Sequence, residues 1–325
     1  MAKYTVIKLK QLSPMHIGTG KENYDFSADD LHSDTISAAI SAIRAQDGKS
    51  ADIESFMDSF TISSAFPYIE NHYFLPKMQG KLNVNVDGAN AEEKRKELKK
   101  IKYVELPLWQ KLISNEQISV TESQLQQKYL ISDTTKLGIP AKSEVMQRVS
   151  VAREDGQDAA PFYFNWTYFS KLGGLYFLIN ATKEIELEVV ELFKKLGEAG
   201  IGTDRNIGGG KFEVDTDSID INDNTKSNAS MLLSMYIPNK DEMAMIDLSN
   251  SRYQILQRGG YMAGSQEEEF RHLRKKSIYM FSVGSVFPTK ELLIGKVVNL
   301  TPEWNDKRMH SVYRSGKPFY LPVTI

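Results

Sequence analysis

Cysteine is absent from all 325 residues. That excludes a disulfide framework, a zinc ribbon and a thiol nucleophile, and it fits a reducing compartment. Histidine is scarce. His16, His32, His72, His272 and His310 fall in no H-x-x-x-H or H-E-x-x-H spacing, so no metal site is supported. No G-x-S-x-G nucleophile elbow occurs. No apolar run approaches membrane-spanning length. The start, Lys3-Tyr4-Thr5-Val6-Ile7-Lys8-Leu9-Lys10, lacks the continuous apolar core of a signal peptide. A soluble, cytoplasmic protein with no membrane partner and no cofactor is therefore expected. Excess charge of one sign is also missing: 40 basic and 42 acidic residues leave a net charge of −2. This excludes a strongly basic nucleic-acid binder, so any such binding must rest on a local basic face.

What is present suffices for a packed core, since 41% of the chain is hydrophobic and the length suits two domains. Lys3 to Leu12 alternates and is rich in β-branched residues, which predicts a strand. Ser33 and Asp34 read as helix-start residues for Thr35 to Gln46, where Ile36, Ala39, Ile40 and Ile43 share one face. Strands are expected at His72 to Pro76 and Leu175 to Thr182. An amphipathic helix follows from Glu184 to Gly197, with Ile185, Val189, Leu192, Phe193 and Leu196 inward. A short strand comes next, from Lys211 to Val214. The mixed-charge run Glu92 to Lys102 reads as an exposed helix. This order is ferredoxin-like, with an insertion between the second and third strands. Asp220 to Ser230 is polar and reads as a linker. Beyond it, strands are expected near Met231 to Ile237, Arg252 to Gln257, Ile278 to Val283 and Phe319 to Ile325. The fold class is α+β: two ferredoxin-like (RRM-like) domains, over 1–222 and 228–325, the first carrying an inserted arginine-bearing β-hairpin.

The densest local signal is Gly200-Ile201-Gly202-Thr203-Asp204-Arg205-Asn206-Ile207-Gly208-Gly209-Gly210-Lys211-Phe212. Bare backbone of this kind lets amides approach a phosphate or ribose, and Arg205 and Lys211 add charge. A nucleotide-binding loop is excluded by spacing and by order, because this loop leaves a helix and enters a strand. Met146 to Phe164 reads as a hairpin in which Arg148 and Arg153 flank a β-branched strand. His16, in a loop after the first strand, suits either a structural hydrogen bond or a general base. The acidic run Asp215 to Asp220 lacks the glycine of a calcium loop and reads as plain surface. Glu267 to Glu269 beside Arg271, Arg274, Lys275 and Lys276 reads as a charged, helical docking face.

Together these segments resemble the RAMP superfamily of CRISPR proteins, whose signature is a glycine-rich loop after the second helix. The resemblance runs through His16-Ile17-Gly18-Thr19-Gly20, Leu31-His32-Ser33-Asp34-Thr35 and Gly200 to Phe212. It continues through Arg258-Gly259-Gly260-Tyr261, Gly284-Ser285-Val286-Phe287 and His310 to Phe319. Within the superfamily the chain looks most like the subunit that caps the guide RNA 5′ end in type III-A (Csm) effector complexes. The resemblance implies a non-catalytic subunit that binds the 5′ tag of the crRNA. It further implies docking onto the large polymerase-like, cyclase-like subunit and the first backbone subunit, with target RNA met only indirectly. The hairpin would be a thumb over the guide. The RNA-contacting residues expected on this basis are His16, Gly18, Ser33, Arg148, Arg153, Gly202, Arg205, Asn206, Gly208, Gly209, Gly210, Lys211 and Arg258. The resemblance assigns no role to the insertion around Gly88 to Glu122. The rival is a guide-processing endoribonuclease of the same superfamily, using His16 with Tyr24. In those enzymes the glycine-rich loop lies near the C-terminus, whereas here a long second domain follows it.

Overall fold

The computed structural model describes residues 2–18, 24–87, 91–132, 138–151, 159–222, 226–262, 264–265, 267–289 and 291–325. Arg153, Thr19 and Gly20 lie outside these residues. The first part of the chain is framed by β1 (Ala2–Lys10), α1 (Ser33–Gln46), β2 (Phe66–Ile69) and β3 (His72–Pro76). It continues with β4 (Ala141–Ser150), β5 (Ala160–Phe169), β6 (Gly173–Asn180), α2 (Lys183–Ala199) and β7 (Glu213–Ile221). The main sheet runs β7-β1-β6-β2-β3, each pair antiparallel.

β1 lies one strand in from the edge, and its alternation feeds two cores. Ile7 and Leu9 face α1 and α2, packing with Ile36, Ile40, Val189, Leu192, Phe193 and Leu196. Val6 faces the other way, into a core with Tyr68, Tyr73 and Tyr176. That second face is covered rather than open. Trp109 from the insertion and Met231, Leu233, Phe319 and Leu321 from the second part pack there, and all three tyrosines are buried. The insertion thereby gains a structural role. Its strand Tyr103–Glu105 pairs with β3, and its helix Leu106–Ile113 carries Trp109, whose Nε1–H donates to the Pro76 carbonyl at 2.8 Å.

The structure departs from the sequence reading in three places. β7 is nine residues long rather than a short strand. It absorbs the acidic run, because alternate carboxylates meet lysines of β1: Lys10–Asp215 at 3.0 Å and Lys8–Asp217 at 3.6 Å. The second part is mixed helix and strand but does not show the expected two-helix layout. Among its described residues the one α-helix is Lys240–Met245, and the strands fall into small separate sheets. Ala229–Leu232 pairs with Val286–Phe287 and Tyr320–Val323, and Ile255–Arg258 pairs with Ile278–Phe281. Glycine and polar residues break up the segments between these strands, so no long apolar helical stripe forms there. The charged stretch Glu267 to Lys276 is likewise not a helix beyond the single turn Glu268–Phe270, anchored by buried Phe270. No helix among the described residues is long and apolar enough to cross a membrane.

Candidate nucleic-acid interface

α2 ends at Ala199, and the glycine loop returns the chain to β7 across the segment that follows β1. The loop backbone is tied to that segment. Gly210 N–H donates to the Pro14 carbonyl at 3.0 Å, and Thr203 N–H donates to the His16 carbonyl at 2.9 Å. The Ser13 hydroxyl donates to the Gly208 carbonyl and accepts from Lys211 N–H, both at 2.7 Å. Internal packing therefore explains most of the glycines. Gly210 has φ +67°, and a Cβ there would overlap the Ile201 carbonyl oxygen. A Cβ at Gly209 would lie 2.8 Å from the Trp166 ring, and one at Gly202 would lie 2.5 Å from the His16 carbonyl oxygen. Gly18 is less constrained, with Thr203 at ordinary contact distance. Gly208 differs from the others: its φ is +88° and nothing stands within 4 Å of its Cβ direction. The expectation that Gly209 and Gly210 offer bare backbone to a guide is thus corrected. Both are buried against their own chain, and the exposed residues of the loop are Gly202, Arg205, Asn206 and Ile207, with Lys211 beyond. Neither Arg205 nor Lys211 makes an ion pair among the described residues.

β4 and β5 pair antiparallel, in register from Ala141↔Phe169 to Ser150↔Ala160. Arg148 does not project freely. Its guanidinium lies 4.2 Å from the Phe164 ring centroid and 5.1 Å from that of Trp166, and it pairs with Asp204 at 2.7 Å. Arg148 is therefore the tie between hairpin and glycine loop. Trp166 of the same hairpin closes over Gly209. The other face of the hairpin leaves Val145, Val149 and Tyr163 more than half exposed, at 57%, 55% and 58%.

Three further expected contacts prove internal. His16 is 1% exposed, with Nδ1 2.8 Å from the Asn165 carbonyl and its ring 4.6 Å from that of Phe164. It is a packed core residue, which withdraws it both as a surface contact and as a general base beside Tyr24. Ser33 and Asp34 are not caps. The N-cap is His32, which makes no side-chain capping bond. The Ser33 hydroxyl instead accepts from Met235 N–H at 2.9 Å. Asp34 is fully buried and binds two arginines of the second part, Arg258 (3.0 and 3.1 Å) and Arg314. Burial opposes its negative charge, but the two guanidiniums outweigh this and hold its carboxyl below the ordinary range. Arg258 also donates to the Thr35 hydroxyl at 2.9 Å.

Asp204, Trp166, Ser13 and Arg314 were missed by sequence reasoning. Only Asp204 carried a signal, as the one carboxylate inside a glycine loop with a nearby arginine hairpin.

A model described as the RAMP superfamily matches residues 8–213, and one described as the CRISPR Csm4 C-terminal domain matches 225–323. A CRISPR system Cms protein Csm4 from Thermococcus onnurineus is 26% identical over 86% of this chain and 87% of its own length. One from Methanocaldococcus jannaschii is 25% identical over 98% and 97%. The chain also shares its fold with the crystal structure of a Csm1-Csm4 cassette in complex with cA4 (TM-score 0.63, 20% identity, covering 100% of this chain and 99% of that one). A Csm3-Csm4 subcomplex of the type III-A CRISPR-Cas interference complex gives a TM-score of 0.61 at 21% identity, covering both chains fully, at 100%.

Proposed function

The chain belongs to the RAMP superfamily, with a CRISPR Csm4 C-terminal domain in its second half, and from that premise we propose that it is a non-catalytic crRNA-binding subunit of a type III-A effector complex. In this reading it consists of two units, a ferredoxin-like one over 1–222 and a smaller one over 228–325. It anchors the repeat-derived 5′ tag and docks onto the large polymerase-like subunit and the neighbouring backbone subunit. The existence of relatives solved as Csm1-Csm4 and Csm3-Csm4 assemblies supports both protein partners.

One observation carries the RNA reading. The glycine loop is fixed along its backbone, yet it holds Arg205, Asn206 and Lys211 exposed beside a hairpin to which Arg148 and Asp204 couple it. Exposed cations and an exposed amide on a preformed edge suit phosphates and bases of a single strand. The covered sheet face argues for the same edge, because Tyr68, Tyr73 and Tyr176 cannot serve as a stacking platform.

The test is a salt titration of binding to a labelled RNA carrying the repeat-derived 5′ tag. Each phosphate neutralised on a single strand contributes a slope of about −0.7 in log affinity against log salt. Arg205→Ala is expected to flatten the slope by about that amount, with the melting temperature unchanged. A well-folded double variant, Arg205→Ala with Lys211→Ala, that keeps the wild-type slope would sink the reading.

A further inference from the structure

With His16 buried, Tyr24 has no part to play as the helper of a general base. It is nonetheless 51% exposed, and Phe26, two residues on, is 57% exposed. A single exposed aromatic side chain is ordinary on a protein surface. This one differs because its backbone is pinned and its ring is already stacked.

Asn165 N–H donates to the Tyr24 carbonyl at 2.8 Å. A few residues on, Ala28 N–H donates to the Ile17 carbonyl and Ile17 N–H donates to the Ser27 hydroxyl, both at 2.9 Å. The Tyr24 ring lies at 17° to that of Phe164, with centroids 5.9 Å apart, and meets Phe162 edge-on at 6.2 Å. Phe164 is itself buried, with the Arg148 guanidinium 4.2 Å from its centroid. The side of Tyr24 toward β5 is therefore taken, and its open half lies away from that strand.

The ring stands on the same edge as the glycine loop. Its centroid is 6.4 Å from that of His16, whose carbonyl accepts from Thr203 N–H at 2.9 Å. Arg148, against Phe164, pairs with Asp204 at 2.7 Å. Arg205 and Asn206 come next in the chain and are exposed. An open aromatic face beside exposed cations matches the two halves of a nucleotide, with charge for the phosphate and a flat apolar surface for the base. Ring and backbone are held before anything binds, so little conformational freedom is lost on stacking. We propose that Tyr24 is a base-stacking platform, on which one nucleobase of single-stranded RNA lies while a neighbouring phosphate meets Arg205. The choice of RNA rests on the guide-binding reading above, to which the ring adds a contact without charge.

The experiment uses the full chain, Tyr24→Leu and Tyr24→Phe, with Arg205→Ala as a companion. Tyr24→Leu keeps apolar bulk and removes the aromatic face, whereas Tyr24→Phe keeps the face and removes the hydroxyl. The probe is a fluorescein-labelled repeat-derived RNA. Tyr24→Leu is expected to bind about tenfold more weakly, and Tyr24→Phe to bind like the wild type. Both should keep the wild-type salt slope, because neither changes a charge. In a second measurement 2-aminopurine replaces each base of the RNA in turn. One position should be quenched by the wild type and by Tyr24→Phe, and released in Tyr24→Leu. Should Tyr24→Leu melt early, the other two proteins still decide: a position quenched in both supports the platform, and its absence overturns it. The proposal is also overturned if well-folded Tyr24→Leu binds the RNA like the wild type. It falls equally if that variant loses only its retention by the large subunit, which would make the ring a protein anchor. Unchanged binding by Tyr24→Leu with a flattened slope for Arg205→Ala removes the platform and leaves the guide-binding reading intact. Null results for both remove both.

Discussion

At the glycine loop, Arg205 and Lys211 stand outside on a backbone that hydrogen bonds have already fixed. At the α1 junction, Arg258 and Arg314 are drawn inward onto a buried carboxylate, and the backbone beside them at Gly260 is open. The two regions use the same residue types in opposite ways. The loop takes its shape from backbone geometry, so its cations stay exposed. The junction takes its shape from charge, so its arginines are structural first. A cation in the loop can be removed without unfolding it, whereas the acid in the junction cannot.

The sharpest way to break this comparison is Asp34→Ala. It leaves two guanidiniums at a buried position, and breaking such a pair costs about 3–5 kcal/mol, measured by urea denaturation. The same residue gives a pH signature. Its folded carboxyl lies below its ordinary value of 3.8, so its stabilisation is complete above that value. It is lost as pH falls through the lowered folded value. Acid denaturation of Asp34→Ala should lack that portion, and matching acid curves for variant and wild type would show the junction not to be charge-held.

Gly210→Ala probes the loop by its backbone. A positive φ and an overlap with the Ile201 carbonyl should together cost about 3 kcal/mol, seen as a lowered melting temperature. Gly209→Val belongs with it, because Trp166 occupies the space, so a loss of RNA binding there would report misfolding. Gly208 is the glycine where a substituent meets no neighbour.

The smallest effect is expected for Arg148→Ala. A partly exposed ion pair and a cation–π contact are worth about 1 kcal/mol together. Hydrogen exchange should rise across 141–151 and 159–169 and in the loop at 203–209, with the rest of the chain unaltered. If exchange rises in the hairpin alone, the Arg148–Asp204 pair does not couple the two.

Periodicity made much of the first part legible. α1, α2, β1, β3 and β6 fall within a few residues of where alternation and 3.6-residue stripes put them. β7 was underread because Asp215 and Asp217 look like surface until Lys8 and Lys10 are seen opposite them. That pairing spans some two hundred residues of sequence and leaves no local trace. Asp34 was misread for a related reason. Ser-Asp before an apolar helix satisfies the rule for a cap, and only the return of Arg258 and Arg314 from the second part turns the acid inward. The glycine loop was located from sequence, but the purpose of its glycines was not. A sequence shows that a side chain is missing, not whether the vacated space goes to a ligand or to the chain itself. Trp166 is the answer at Gly209.

β7 lies at the margin of the main sheet, bonded to β1 on one side. A bare strand margin is a template for another strand. Here Glu213, Asp215 and Asp217 recur at every second position, and Asp215 and Asp217 are already engaged by lysines of the same sheet. A second copy approaching along that margin would bring its own carboxylates against these. Charge of one sign along this margin thereby disfavours continuous strand addition by a second copy.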